Sequence, residues 1–327
     1  ERPFHHELEL ALAHAQGVED AVVMAGGHAT NINTIGHLFN PSDLILHDEL
    51  IHDSCLQGIK LSGAARRSFR HEDIGHLESQ LKELRRHYEK VLILVEGVYS
   101  MDGDIANLPE YLRLKRAYGC MLMVDEAHSF GTVGSTGFGV GQYWKEQGLD
   151  FDPIEVDLWM GTMSKSLAAM GGWIAGRKEL IQYLRYTTPG FVFAAGVPPQ
   201  LGIASLTAIR LWTEETWRVE RLQANCRRFY ELCKERGLDN GPAKGESPVI
   251  PVITGDSMHA LKLSQRLLED HGINAKPIIF PAVANDAARL RFFLTSLHTE
   301  EQLVYTCDKI AETLADIRAQ AAAKKRK

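Results

Sequence analysis

VLILVEGVYSMDGDIANLPEYLRLKRAYGCMLMVDEAH, residues 91–128, contains two continuous apolar runs at 91–95 and 120–124. Between them, the segment from Asn107 to Tyr118 has apolar residues at helical spacing. Uninterrupted apolar runs are typical of strands buried on both faces of a sheet. A strand, a helix and a second strand in this order predict a parallel α/β sheet. Short apolar runs alternate with longer mixed segments from the first residues to about residue 210, so we expect this architecture to extend over that region.

The pattern changes after about residue 210, where long amphipathic segments predominate. We predict a helix with Trp217, Leu222, Phe229 and Leu232 facing inward, an edge strand with two prolines, a helix, a strand, and a final helix that begins with Thr299 and Gln302 in capping-box spacing. In order, the first four of these elements span residues 214–236, 248–253, 257–271 and 290–295. This pattern predicts a large domain over residues 1–212 and a smaller C-terminal α+β domain over residues 213–327.

Composition limits the classes of function. The net charge of −6 does not favour a nucleic-acid partner. The longest apolar runs are too short to span a membrane. Five scattered cysteines argue against a disulfide framework or a metal site and suit a reducing compartment, so we expect a cytoplasmic protein. The chain opens at Glu1 without a methionine, and we expect an N-terminal stretch to be missing.

Several polar residues follow apolar runs, where the carboxyl ends of parallel strands collect ligands. Asp125 and His128 follow one run, and Lys165 follows another at 158–161. Gly26 and Gly27 precede a predicted helix whose free N–H groups could bind a phosphate. Taken singly, an acid after a strand is often a helix cap or a surface turn residue, and a loop lysine usually faces solvent.

Together these residues match the needs of one kind of cofactor. A phosphorylated aldehyde with a ring nitrogen needs a lysine to form an imine, a carboxylate beside the nitrogen, an anion site, and a flat group above the ring. Lys165, Asp125, the Gly26–Gly27 helix start and His52 would supply these four groups.

Four longer motifs carry a family resemblance. They are EGVYSMDGD (96–104), VDEAHSFGTVGSTGFGV (124–140), MGTMSKS (160–166) and RLRFFLTSLHT (289–299). In these motifs the chain resembles the α-oxoamine synthases, nearest the serine palmitoyltransferase branch, over nearly its whole length. The resemblance implies a fold-type I pyridoxal-phosphate (PLP) transferase with a mostly parallel central sheet flanked by helices.

The resemblance also implies roles for single residues. Lys165 would hold the cofactor and later move the α-proton, Asp125 would pair with the pyridine nitrogen, and His128 would contact the ring hydroxyl. His52 would stack on the ring and orient the substrate. The remaining implied contacts are the phosphate with Gly27, His28 and Thr162, the ring hydroxyl with Ser100, and the amino-acid carboxylate with Arg291.

The implied reaction joins the α-carbon of serine, alanine or glycine to an acyl thioester on coenzyme A or an acyl carrier protein, with loss of carbon dioxide. The family's active sites form between two subunits, so a homodimer is expected. One departure concerns the segment at 191–199, where Ala194 and Ala195 stand in place of the family's Ser or Thr that reaches the neighbouring subunit's cofactor. This puts that cross-subunit contact in doubt.

Three alternatives remain open at this point. An ordinary aminotransferase or lyase of the same fold would share Lys165 and Asp125 but not the combination of His52, DEAHS and the RLR motif. A non-catalytic partner subunit would not need Lys165. The chain could also be an offloading domain excised from a polyketide-type synthase, with a carrier protein as the thioester donor.

Overall fold

The computed structural model describes residues 2–325, which divide into two compact units. The first unit contains the described residues up to Tyr99 together with Ile105–Thr216. The second contains Ser100–Asp104 and the described residues from Trp217 onward. The domain boundary predicted after residue 212 stays a prediction. The short segment 100–104 packs with the second unit. No local sequence pattern indicates this packing.

The first unit is built on a seven-stranded sheet in the order β1-β7-β6-β5-β4-β2-β3. Strand β7 is antiparallel to both of its neighbours, and the other pairs are parallel, as predicted for a mostly parallel sheet. The strands are β1 Asp20–Met24, β2 Leu44–Asp48, β3 Ala65–Phe69, β4 Val91–Glu96, β5 Met121–Asp125, β6 Leu158–Thr162 and β7 Gly172–Gly176. All residues of β4 and β6 are buried, because helices cover both faces of a parallel sheet.

Helices connect and flank these strands. They are α1 Pro3–Gln16, α2 Gly27–Leu38, α3 Asp53–Ser62, α4 Ile74–Leu84, α5 Leu108–Tyr118, α6 Val140–Glu146, α7 Lys178–Thr187, α8 Pro189–Val192 and α9 Pro199–Glu214. The prediction around residues 91–128 is confirmed, because β4, α5 and β5 follow one another and β4 pairs with β5 in parallel. Asn107 occupies the N-cap of α5, and Gly119 ends the helix in the left-handed conformation that glycine adopts without strain.

The second unit contains an antiparallel sheet in the order β8-β10-β9 and three further helices. Its elements are α10 Trp217–Glu235, β8 Val249–Gly255, α11 Ser257–His271, β9 Lys276–Ile278, β10 Ala288–Phe293 and α12 Glu300–Lys325. The predicted edge position of β8 and the predicted capping box of Thr299 and Gln302 are confirmed. Strand β9 was not predicted, because three residues are too few for a periodic signal.

Two predictions for helix α10 are wrong. The helix begins at Trp217 and not at residue 214, because Glu215 leaves the helical conformation after α9 ends at Glu214. Trp217 is 45% exposed and does not face inward, whereas Leu222, Phe229 and Leu232 are buried. A tryptophan at the first position of a helix lies at the margin of the buried stripe, where helical spacing is a poor guide to burial.

None of the helices within residues 2–325 combines the length and the apolar character needed to cross a membrane. Within the same residues, no group of three or more His, Cys, Asp or Glu side chains could hold a metal ion.

Candidate active site

A cavity of about 230 Å³ opens in the first unit where three neighbouring parallel strands end. Glu96, Asp125 and Thr162 are the last residues of β4, β5 and β6, and all three line the cavity. Adjacent parallel strands present their carboxyl ends at one edge of the sheet, which brings together residues far apart in sequence. The residues predicted for the site that line this cavity are Gly27, His28, His52, Asp125, His128, Thr162 and Lys165.

Asp125 is held rigidly at the end of β5. Its side chain is buried, and Oδ2 accepts a hydrogen bond from Asn31 Nδ2 at 2.8 Å. Oδ1 accepts from the backbone N–H of Ala127 at 2.9 Å. Two donors on a buried carboxylate fix its orientation and offset part of the cost of burial. The alternative that Asp125 is a surface turn residue is therefore wrong.

Lys165 lies in the loop between β6 and β7. Backbone hydrogen bonds close this loop, from Met163 N to Gly171 O at 3.0 Å and from Ala168 N to Lys165 O at 3.0 Å. The hydroxyl of Ser166 donates to Phe130 O at 2.7 Å, which ties the loop to the segment after β5. The amine is thus carried by a loop that is anchored on both sides of it.

The N-terminus of α2 forms one wall of the cavity. Gly26 is the N-cap and Gly27 the first helical residue, so the free N–H groups of the first turn lie at this wall. A Cβ at Gly27 would lie 2.7 Å from Thr162 Oγ1 and 2.8 Å from Thr162 Cβ. Only glycine allows so close an approach of helix α2 to the end of β6, and the resulting group of N–H donors and a hydroxyl suits a phosphate.

His52, the N-cap of α3, also lines the cavity, and its ring centroid is 6.2 Å from that of His28. Its Nδ1 is 2.7 Å from Ser54 Oγ and accepts from Ser54 N at 3.3 Å. Partial burial is the largest influence on the pKa of the imidazole and lowers it, and the nearby Lys165 and His28 act in the same direction. Asp125 and Asp53 act in the opposite direction but do not outweigh burial. The ring is therefore mainly neutral at pH 7.

These observations fit a pyridoxal-type cofactor. One cavity contains a primary amine, a hydrogen-bonded carboxylate, a helix N-terminus and an imidazole. The first residue of that helix is a glycine, and a Cβ at this position would clash with Thr162. Asn31 also lines this cavity, and its buried Oδ1 has no hydrogen-bond partner within residues 2–325. A buried acceptor of this kind is usually satisfied by a ligand or by water.

Two predicted site residues belong to the second unit. Arg291 lies on β10, and its Nη1 donates to Ser100 O at 2.7 Å. Two positions earlier on the same strand, Arg289 forms a buried ion pair with Asp102. The segment 100–104 is thus attached to β10 within the second unit. The roles of Ser100 and Arg291 toward cofactor and substrate stay predictions.

Sequence reasoning missed Asn31 and Ser54 as parts of the site, although both line the cavity. Asn31 lies in the helix predicted after Gly26 and Gly27, and no role in the site was predicted for it. The one signal in the sequence that could have identified Asn31 is its position as a polar residue on the buried face of the predicted helix. That signal does not identify a partner, because Asp125 lies 94 positions away in sequence.

Comparison with known proteins identifies the family of this chain. The family model for class I and II aminotransferases matches residues 2–310. The 8-amino-7-oxononanoate synthase of Treponema denticola is 37% identical over 316 residues, 96% of this chain and 78% of the relative. That of Symbiobacterium thermophilum is 40% identical over 299 residues, 91% of this chain and 74% of the relative. The solved structure of Sphingomonas wittichii serine palmitoyltransferase has a TM-score of 0.89 and 31% identity, and covers 96% of this chain and 76% of that chain.

The fold and the cavity define a fold-type I PLP-dependent transferase. The chain belongs to the class I and II aminotransferase family and, within it, to the α-oxoamine synthases, which condense an amino acid with an acyl thioester and release carbon dioxide. The predicted family, fold class and cofactor are confirmed.

Proposed function

We propose that this enzyme joins serine, alanine or glycine to an acyl group carried by coenzyme A or by an acyl carrier protein, and releases an aminoketone. The observation that carries the proposal is the convergence of Asp125 and Lys165, forty positions apart, on one cavity at the ends of neighbouring strands. Such a convergence gives the amine and the acid access to the same ligand.

In this proposal each predicted site residue has a specific role. When bound, PLP supplies an electron-withdrawing ring that stabilises negative charge at the α-carbon. Lys165 Nζ holds the cofactor and then moves the α-proton. Asp125 keeps the ring nitrogen protonated, and His128 and Ser100 contact the ring hydroxyl. The backbone N–H groups of Gly27 and His28 and the hydroxyl of Thr162 bind the phosphate, and His52 stacks on the ring.

Arg291 binds the amino-acid carboxylate through the two parallel donors of its guanidinium. By holding the carboxylate, Arg291 would fix the orientation of the bonds at the α-carbon and so determine which of them is broken. Positioning of this kind can lower a barrier by about 7–11 kcal/mol in favourable cases. Arg291 thereby selects amino acids over simple amines, which lack the carboxylate that it binds.

The proposal includes a homodimer in the cytoplasm. The homodimer is supported by the segment 191–199, which corresponds to the stretch that reaches the neighbouring subunit in the family. In this segment the Phe193 side chain is 87% exposed, and Val192, Ala194 and Ala195 are exposed too. A contiguous exposed apolar segment is typical of a protein interface.

Product analysis tests the reaction. The purified PLP-loaded enzyme is incubated with each of the three amino acids and with acyl thioesters of different length on coenzyme A and on a carrier protein. The proposal expects an aminoketone and carbon dioxide by mass spectrometry. Formation of a keto acid without carbon dioxide would instead identify an aminotransferase, and activity with the carrier protein alone would favour a domain of a larger synthase.

Reductive trapping tests the role of Lys165. Borohydride should fix the cofactor on the peptide that contains Lys165, and Lys165→Ala should abolish both the trapped adduct and turnover. Lys178→Ala, which alters an exposed lysine of helix α7, is the matched control and should behave like the wild type. Attachment of the cofactor to a different lysine would reject the assignment.

A further inference from the structure

A chain of hydrogen bonds runs from the buried Asp125 to His52 through two residues that have no assigned role. Asn31, on helix α2, is 1% exposed. Its Nδ2 donates to Asp125 Oδ2 at 2.8 Å and to Ser54 Oγ at 2.9 Å. Ser54 Oγ is in turn 2.7 Å from His52 Nδ1. Three short contacts therefore connect the carboxylate of one strand end with the imidazole at the start of α3.

The chemistry of the groups sets the direction of every bond in this chain. A carboxylate only accepts, so the NH₂ group of Asn31 faces Asp125, and its second hydrogen is donated to Ser54 Oγ. Since that oxygen already accepts from Asn31, its own hydrogen is available for His52 Nδ1, which also accepts from Ser54 N at 3.3 Å. An Nδ1 that accepts carries no proton, and the neutral ring therefore carries its proton on Nε2.

We propose that Asn31 is a positioning residue that fixes the carboxylate for the cofactor's ring nitrogen and, through Ser54, the tautomer and orientation of the stacking imidazole. This inference rests on the proposed function of the site. A single amide thereby fixes the position of the Asp125 carboxylate relative to the His52 imidazole.

An amide suits this task because it neither gains nor loses a proton near neutral pH. Its two N–H donors diverge from one nitrogen, so a shift of Asn31 displaces both partners together. Inside the buried site these bonds are stronger than they would be in water. An aspartate at this position would have the same shape but would present a second carboxylate to Asp125, which is unfavourable.

Two variants separate the two arms of the chain. Ser54→Ala removes the hydroxyl contact with His52 and leaves the Asn31–Asp125 bond in place. Asn31→Ala removes the donor to Asp125 and the donor to Ser54 Oγ. Asn33→Ala is the matched control, because Asn33 lies on the same helix but donates to the backbone of Ala29 at 2.8 Å and does not line the cavity.

Cofactor affinity and the state of the His52 ring are measured in the full chain. Asn31→Ala should weaken PLP binding roughly 10- to 100-fold, as expected for the loss of a hydrogen bond to a charged group. Ser54→Ala should leave PLP binding within about two-fold of the wild type. In ¹⁵N NMR of the imidazole, assigned by its absence in His52→Ala, both variants should lower the population of the Nε2-protonated tautomer relative to the wild type, although the backbone N–H of residue 54 still favours it. Asn33→Ala should change neither measurement.

The proposal is overturned if Asn31→Ala folds and binds PLP as tightly as the wild type, or if the His52 tautomer is unchanged in both Asn31→Ala and Ser54→Ala. If Asn31→Ala does not melt cooperatively, Asn31→Ser replaces it, because a serine is too short to reach both partners. The NMR measurement does not depend on turnover. A wild-type enzyme that forms no aminoketone would therefore reject the proposed function while leaving the positioning role intact.

Discussion

At the scale of single residues, His52 is predicted to affect turnover without a covalent bond to the cofactor. His52→Ala should leave PLP bound but slow turnover by roughly ten-fold or more, because an aromatic contact contributes about 0.5–1.5 kcal/mol and orientation is lost with it. Steady-state kinetics and a cofactor titration measure the two effects separately. His37→Ala is the control, since His37 contacts Thr187 and Tyr183 away from the cavity. An unchanged rate in His52→Ala would reduce His52 to a packing role.

The same imidazole predicts a pH dependence. Burial lowers the pKa of His52 below its ordinary value of about 6.5, so the ring gains its charge only in more acidic solution. Turnover should therefore fall as the pH drops through this lowered pKa. The unfolded chain binds the proton at about pH 6.5, whereas the folded chain binds it only at lower pH. The folded state should therefore lose stability as the pH falls from about 6.5 through the lowered pKa of His52. The acid limb of the kcat profile should be absent in His52→Gln, and its persistence would assign it to another group.

Arg291 belongs to the substrate side of the proposed reaction. Arg291→Ala should raise KM for the amino acid by roughly 10-fold or more, because a hydrogen-bonded charge pair is lost, and should change PLP affinity little. Arg291→Lys should restore only part of the affinity, since an ammonium lacks the two parallel donors. Equal losses of amino-acid and cofactor binding in Arg291→Ala would contradict a specific role at the carboxylate.

At the scale of elements, the approach of helix α2 to strand β6 decides whether the phosphate site exists. Gly27→Ala would place a methyl group 2.7 Å from Thr162 Oγ1, and the helix or the strand end must move. PLP affinity should fall at least about ten-fold, because the N–H donors move away from the phosphate. Gly26→Ala is a close control, since a Cβ there meets no atom within 4 Å and the extended backbone tolerates alanine. Equal affinities in the two variants would contradict the predicted phosphate site.

At the scale of the whole molecule, the proposed homodimer concerns the segment 191–199. A charge at the exposed Phe193 should be incompatible with a buried apolar interface, so Phe193→Asp should shift sedimentation from dimer to monomer. Leu297→Asp, which alters a side chain 73% exposed in the second unit, should leave the dimer intact. A wild-type chain that sediments as a monomer at micromolar concentration would reject the homodimer.

Much of the fold and of the site could be predicted from local sequence. Continuous apolar runs indicate β4, β5 and β6 because both faces of a parallel sheet are covered, and this burial leaves a pattern in consecutive residues. Lys165, Asp125 and His128 are recognisable because each lies in a motif directly after such a run. The start of α10 was misplaced, because helix ends depend on backbone conformation more than on periodicity.

The sequence by itself determined the chemical groups of this protein: the amine, the acid, the imidazole and the glycines, in segments whose periodicity specifies strands and helices. Only the tertiary structure decided which of them meet. Asn31, Ser54 and His52 come from α2 and the start of α3, while Asp125 ends β5, and the hydrogen bonds between them depend on the order of strands in the sheet. Contacts between distant segments arise from packing, and packing leaves no mark in the neighbouring residues of the chain.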